Sequence, residues 1–177
     1  MPYTGTIPYT AQDFVPGQKA LAQDITNISY ALARLDQNAA NAYCVLTKPL
    51  GTDNQTVAKG NGSAAITFKE ISADPLGMRT DDTKITIPFD GIWMLTAFFN
   101  ANGPSSAGGW FRFNGVAGDA NNWGTNSTNG PNVTINITMP VSAGTYIEAV
   151  YYNKDPNNQN GVNATVQRGV FSASLIH

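Results

Sequence analysis

Hydrophobic and polar positions along the chain change rhythm twice, and each rhythm predicts a different kind of element. Residues 1–17, MPYTGTIPYTAQDFVPG, hold no helical period, and their prolines interrupt regular pairing, which predicts an extended arm. Tyr3, Ile7, Tyr9, Phe14 and Val15 give that arm the apolar groups of an anchoring segment, while a simple tether is the other reading. Across residues 18–42 apolar side chains recur at Leu21, Ile25, Ile28, Leu32 and Leu35, spaced 4, 3, 4, 3, and the beat continues weakly at Ala39 and Ala42. That is a heptad seam with Ile25 and Leu32 at a and Leu21, Ile28 and Leu35 at d, so one α-helix is expected. Gln23, Asp24, Thr26, Asn27 and Arg34 fall on its outer side. Ile at both central seam positions favours a coiled coil of three or more strands, and an amphipathic helix packed on its own domain is the alternative.

From residue 43 to 177 the period shortens to that of strands. Candidate strands are AYCVLTK, AAITFKE, KITIPF, GIWMLTAFFNA, GWFRFNG, NVTINITMPV, TYIEAVYYN and GVFSASLIH, separated by loops rich in Gly, Pro, Asn and Asp. With no helical interval among them, they predict a mainly β domain, an antiparallel sandwich of jelly-roll type. VTINITM alternates cleanly, placing Val133, Ile135, Ile137 and Met139 inward and Thr134, Asn136 and Thr138 outward. IWMLTAFF, YIEAVYY and VFSASLI instead carry apolar groups on both faces, which calls for a second cover, either an intrachain loop or a partner chain. Trp93, Leu95 and Phe99, or their opposite-facing neighbours Met94 and Phe98, are therefore expected near other subunits.

Composition narrows the classes. Asn, Thr, Ser and Gly dominate the polar residues, only 12% of residues are charged, and the net charge is -2. With no cluster of Lys or Arg, the electrostatic footprint of a nucleic-acid binder is missing. The N-terminus has no basic region followed by an apolar run, and no window approaches 18 apolar residues, so neither a signal peptide nor membrane insertion is expected. One cysteine, Cys44, precludes an intrachain disulfide.

Several stretches together carry a resemblance. IPFDGIWMLTAFFNANG, then GWFRFNG, then MPVSAGTYIEAVYYN, then GVFSASLIH, in that order, resembles the jelly rolls of tumour necrosis factor and complement globular heads. The similarity covers residues 43–177 and implies a compact homotrimer, commonly set on a trimeric stalk. QDFVPGQKALAQDITNISYAL is similar to the N-termini of small head- and tail-associated proteins of tailed bacteriophages. That second resemblance implies a virion protein assembled in the host bacterial cytoplasm and carried on the virion surface, with the major capsid protein or another virion protein as partner. The expected role is a homotrimeric capsid decoration or head-fibre protein. The alternative is a tail or baseplate receptor-binding protein that recognises host-surface carbohydrate.

Catalytic and metal chemistry has little to build on. GPSSA at 103–107 lacks the closing Gly of a nucleophile elbow, and His177 is the one His available as a base. DPNNQNG at 155–161 has its Gly one place late for a calcium loop, and Val166 stands where a bidentate Glu is needed. Asp81 and Asp82 could hold a cation but read as a solvated turn, and GNGSAA at 60–65 leads into a strand rather than a helix. No cofactor, metal or enzymatic activity is expected. Dispersed carboxylates (Asp74, Asp90, Asp119, Glu148, Asp155) could converge as in glycoside hydrolysis, though nothing in their spacing favours it. For recognition, the loop at 118–132 sets Trp123 among Asn121, Asn122 and Asn126, an aromatic platform beside amides as a glycan contact requires. A buried Trp closing the end of the sandwich is the other reading of the same loop.

Overall fold

A computed structural model describes Leu32 and residues 42–51, 53–116, 130–154 and 162–176, together with the backbone of 123–128. Twelve strands follow one another: β1 (Tyr43–Lys48), β2 (Gln55–Val57), β3 (Ser63–Ala65), β4 (Glu70–Ala73), β5 (Arg79–Asp81), β6 (Lys84–Thr86), β7 (Gly91–Asn102), β8 (Ala107–Phe113), β9 (Trp123–Thr128), β10 (Val133–Val141), β11 (Tyr146–Asn153) and β12 (Ala164–Ile176). They form two six-stranded sheets. Sheet A runs β10-β7-β12-β1-β4 with β2 beside β12, and sheet B runs β5-β6-β11-β8-β9 with β3 beside β11.

The expected α-helix needs correction, since no α-helix is among the elements of the described residues. Leu21, Ile25, Ile28 and Leu35 lie outside those residues, and Leu32 is 57% exposed, so its side chain is not packed as a helix seam on this domain would require. Ala42, read as the last beat of the seam, is instead part of the sandwich core, and its carbonyl accepts a hydrogen bond from Leu175 N at 2.9 Å. The arm residues Tyr3, Ile7, Tyr9, Phe14 and Val15 also lie outside the described residues.

Period-two alternation explains the core. Along β7 the odd positions Trp93, Leu95, Ala97, Phe99 and Ala101 are buried, while Ile92 and Met94 are exposed. Val133 and Ile135 of β10 are buried beside exposed Thr134 and Asn136, as the alternation predicts. Rings from five segments meet between the sheets: Phe99 and Tyr151 pack edge to face at 5.8 Å, Phe68 lies 5.8 Å from Phe171, and Phe171 stacks on Phe111 at 5.9 Å. Each such buried side chain is worth roughly 1.5–3 kcal/mol over exposure. Gly169 sits against this cluster, where an added Cβ would come within 3.0 Å of Phe98 O and 3.1 Å of Phe68 Cε1. A side chain at this position would push into the aromatic packing.

AAITFKE, expected to be one strand, divides between the sheets. Its first part, β3, pairs with β11 in sheet B, and its end, β4, pairs with β1 in sheet A. Residues 66–69 carry the chain across, and Ile66 and Phe68 plug the core on the way. The stretch at 118–132, expected as a loop, contains β9, which pairs with β8 at the edge of sheet B.

Candidate interaction surfaces

Among the described residues, two sheet faces and a cleft stand out as surfaces beyond the core. The outer face of sheet A is built from the alternate positions of β7, β12, β10 and β1. Register places Pro140, Ile92 and Ile176 in one row, Thr138, Met94, Ser174 and Tyr43 in the next, and Thr134, Phe98, Val170 and Thr47 in a third. Ile92 is 50% exposed, Met94 45%, Ile176 41% and Tyr43 38%. The row of Asn136, Thr96, Ser172 and Val45 lies between this apolar end and Phe98 and Val170. Trp93, Leu95 and Phe99, expected at contacts between subunits, are fully buried in the chain's own core, so none of these side chains reaches a surface that another subunit could touch. Their opposite-facing neighbours Met94 and Phe98 occupy the outer face. Tyr151 is likewise internal: its hydroxyl donates to Pro131 O at 2.8 Å, and burial pushes its pKa up to about 12.

The outer face of sheet B is different in chemistry. β11 is buried along nearly its whole length. Trp110 and Tyr152 pack with ring centroids 5.6 Å apart beside Val150, and the Tyr152 hydroxyl donates to Asn61 Oδ1 at 2.8 Å. Asn61 holds its turn with φ of 68°, a left-handed conformation that Asn tolerates better than most residues. One rung further, Arg112 Nε donates to Glu148 Oε2 at 2.7 Å, and Glu148 is 6% exposed. Beyond it, Lys84 Nζ lies 5.1 Å over the Tyr146 ring and 2.8 Å from Asp81 Oδ2.

A cleft of about 220 Å³ is lined by Lys48, Pro49, Asp53, Lys69 and Glu70. Lys48 is 1% exposed, and its ammonium donates to the Asp53 carbonyl and sits 3.7 Å from Asp53 Oδ2. Burial lowers the Lys48 pKa, and the hydrogen bond from Lys69, at 3.0 Å, lowers that of Asp53. Two ammonium and two carboxylate groups balance there, so the arrangement ties the β1–β2 connection to β1 and presents no net charge to a ligand.

The remaining candidate groups are dispersed. Asp81 and Asp82 face Lys84 and Arg79 respectively rather than converging on a cation. Asp74 accepts from Met78 N and Arg79 N, Asp90 from Ala143 N, and Glu148 is engaged by Arg112, so these three carboxylates serve three separate elements. Asp119 and Asp155 lie outside the described residues, as do Asn121 and Asn122. Trp123 and Asn126 belong to β9, where their backbones pair opposite Phe111 and Gly109. Cys44 is fully buried, and desolvation raises its pKa to about 12, which makes it a core residue and not a nucleophile. Sequence reasoning missed the Trp110–Tyr152 and Arg112–Glu148 pairs. Their signal is a polar or aromatic residue at alternate positions of GWFRF and YIEAVYY, visible only once the two strands are set in register.

No protein-family model matches the chain, and no curated protein matches it. Among solved structures it is similar to the globular domain of a zebrafish complement 1qA protein, with a TM-score of 0.50 at 9% identity over 77% of this chain and 98% of that one. Murine APRIL is similar with a TM-score of 0.47 at 10% identity over 75% of this chain and 99% of that one. Rabbit GITRL is similar with a TM-score of 0.42 at 16% identity over 76% and 94%. The likeness to the complement domain, together with the two antiparallel sheets, shows the fold: a jelly roll like that of the complement globular domain.

Proposed function

We propose that the chain is a homotrimeric, non-enzymatic structural protein of a tailed-bacteriophage virion, a capsid decoration or head-fibre protein anchored by residues 1–17 with its jelly roll projecting outward. The observation that carries this reading is the outer face of sheet A, where Tyr43, Ile92, Met94 and Ile176 stand exposed around one end of an ordered sheet. Clustered apolar surface of this kind marks an association site. Three copies packed through these faces would bring three arms to one place, and linkage of weak contacts strengthens attachment through effective concentration. The virion context comes from the resemblance of QDFVPGQKALAQDITNISYAL to phage head and tail proteins. A second reading, a tail or baseplate protein that grips host-surface carbohydrate, is supported by the half-buried aromatic pair Trp110 and Tyr152 on sheet B.

Copy number per particle separates decoration from the other roles: hundreds mean decoration, and a few dozen or fewer mean fibre or tail. Deleting residues 1–16 should leave a trimer that no longer joins particles. Assembly of that truncated chain onto particles lacking the protein would remove the anchoring role.

A further inference from the structure

The outer face of sheet B combines features that neither packing nor assembly through sheet A requires. Arg112 is pinned by Glu148 through Nε alone, and its terminal nitrogens Nη1 and Nη2 donate no hydrogen bond among the described residues. The Arg112 side chain as a whole keeps 26% of its surface exposed, whereas that of Glu148 keeps 8%. A buried carboxylate holding one edge of a guanidinium fixes the plane of the fork and leaves the other edge free for a second planar anion. On the same strand, two residues away and therefore about 7 Å along the same face, Trp110 lies against Tyr152. The Asn61 bond fixes the Tyr152 ring in turn. Partly exposed aromatic faces stack on the C–H faces of sugar rings, and a preset Arg fork matches a carboxylate.

We propose that this face binds a short acidic oligosaccharide, with one ring on Trp110 and Tyr152 and the carboxylate of its neighbour on Arg112. The proposal deepens the receptor-binding reading. Its chemistry nonetheless stands apart from assembly, because sheet A supplies the association face and sheet B the ligand face.

The test titrates the full chain with digalacturonate and with digalactose, its uncharged counterpart, following tryptophan fluorescence and calorimetry. Digalacturonate should bind with a Kd of about 1 mM or tighter, and digalactose about tenfold more weakly, the worth of one charge-assisted hydrogen bond. Arg112→Lys should weaken digalacturonate by a similar factor while leaving the thermal midpoint and the particle mass unchanged. Trp110→Phe should remove the fluorescence response and retain calorimetric binding. Equal binding of both sugars would overturn the role of Arg112, as would an unaffected Arg112→Lys variant. Absence of binding by either sugar, or equal binding of triglutamate, would overturn the acidic-sugar site. Binding that survives while phage adsorption is indifferent to Arg112→Lys would remove only the receptor reading.

Discussion

Met94→Asp tests the association face because the residue is neither buried nor free. The side chain is 45% exposed on the outer face of β7, flanked by Thr138 and Ser174 across the sheet. Full burial of a Met is worth roughly 1.5–3 kcal/mol, so covering the part still exposed contributes about 1 kcal/mol to each subunit contact. A carboxylate in that contact without a partner costs several kcal/mol more. Together these amount to about 4 kcal/mol per contact, a factor of roughly a thousand in association. Within one chain the same change should cost at most about 1 kcal/mol, the span of strand propensities. Light scattering with mass determination should therefore show a trimer for the natural chain at micromolar concentration and a monomer for the variant, with matching far-ultraviolet circular dichroism. Leu50→Asp supplies the control, since Leu50 is 63% exposed in the turn after β1 and off this face. Retention of the natural mass by Met94→Asp, or a natural chain that is itself monomeric, would refute the assignment of this face.

Three further outcomes concern the sandwich itself. Gly103 has φ of 114°, and a Cβ there would lie 2.4 Å from Asn163 O, so Gly103→Ala should lower stability by about 1–3 kcal/mol in urea unfolding. Tyr151→Phe removes the hydrogen bond to Pro131 O and should cost about 1 kcal/mol at neutral pH. Burial raises both Tyr151 and Cys44 to about 12 in the folded chain. Their contribution is thus complete below their ordinary values of 10.0 and 9.0 and is lost as pH rises towards 12; the Phe variant should show a shallower alkaline loss of urea midpoint. For Asp81, burial opposes the charge, but hydrogen bonds from Lys84 and Thr83 outweigh it and hold the pKa at about 2. Its contribution is present above 3.8 and lost as pH falls through about 2, so Asp81→Asn should flatten that acid limb. At 43% exposure the effect stays below about 1 kcal/mol.

The parts of the fold legible in the sequence are those where a local rule and a tertiary contact agree. The DG turn before β7, the AG turn before β11 and the NG turn after β8 each read as turns by themselves, and in the fold they meet at one end. Asp90 accepts from Ala143 N at 2.8 Å, Gly144 N donates to Ile87 O at 2.8 Å, and Asn114 Oδ1 accepts from Tyr146 N at 3.0 Å. Turn chemistry by itself sets these positions. β9 was not legible because WGTNST has neither an apolar alternation nor a strand-rich composition, and its pairing comes from the neighbouring edge of β8. The division of AAITFKE escaped for the opposite reason: one continuous apolar run serves two sheets, and nothing local marks the crossing.

The double apolar character of β7 shows what period two can and cannot decide. Alternation separates Trp93, Leu95, Ala97 and Phe99 from Ile92, Met94 and Phe98 without saying which set faces inward. The decision comes from neighbours far along the chain. Phe68, Tyr151 and Phe171 form a cluster of rings that Phe99 joins, and the Trp93 indole donates to Phe89 O at 3.2 Å. With the larger rings committed to the core, the outer side keeps Ile92 and Met94 beside Ile176, three exposed residues from two adjacent strands. β10, one strand over, presents Thr134, Asn136 and Thr138 to water on that same side. Apart from Pro140 at its end, β10 thus borders the apolar ground with polar side chains, and this border is what distinguishes a bounded association face from a sheet that is merely greasy throughout.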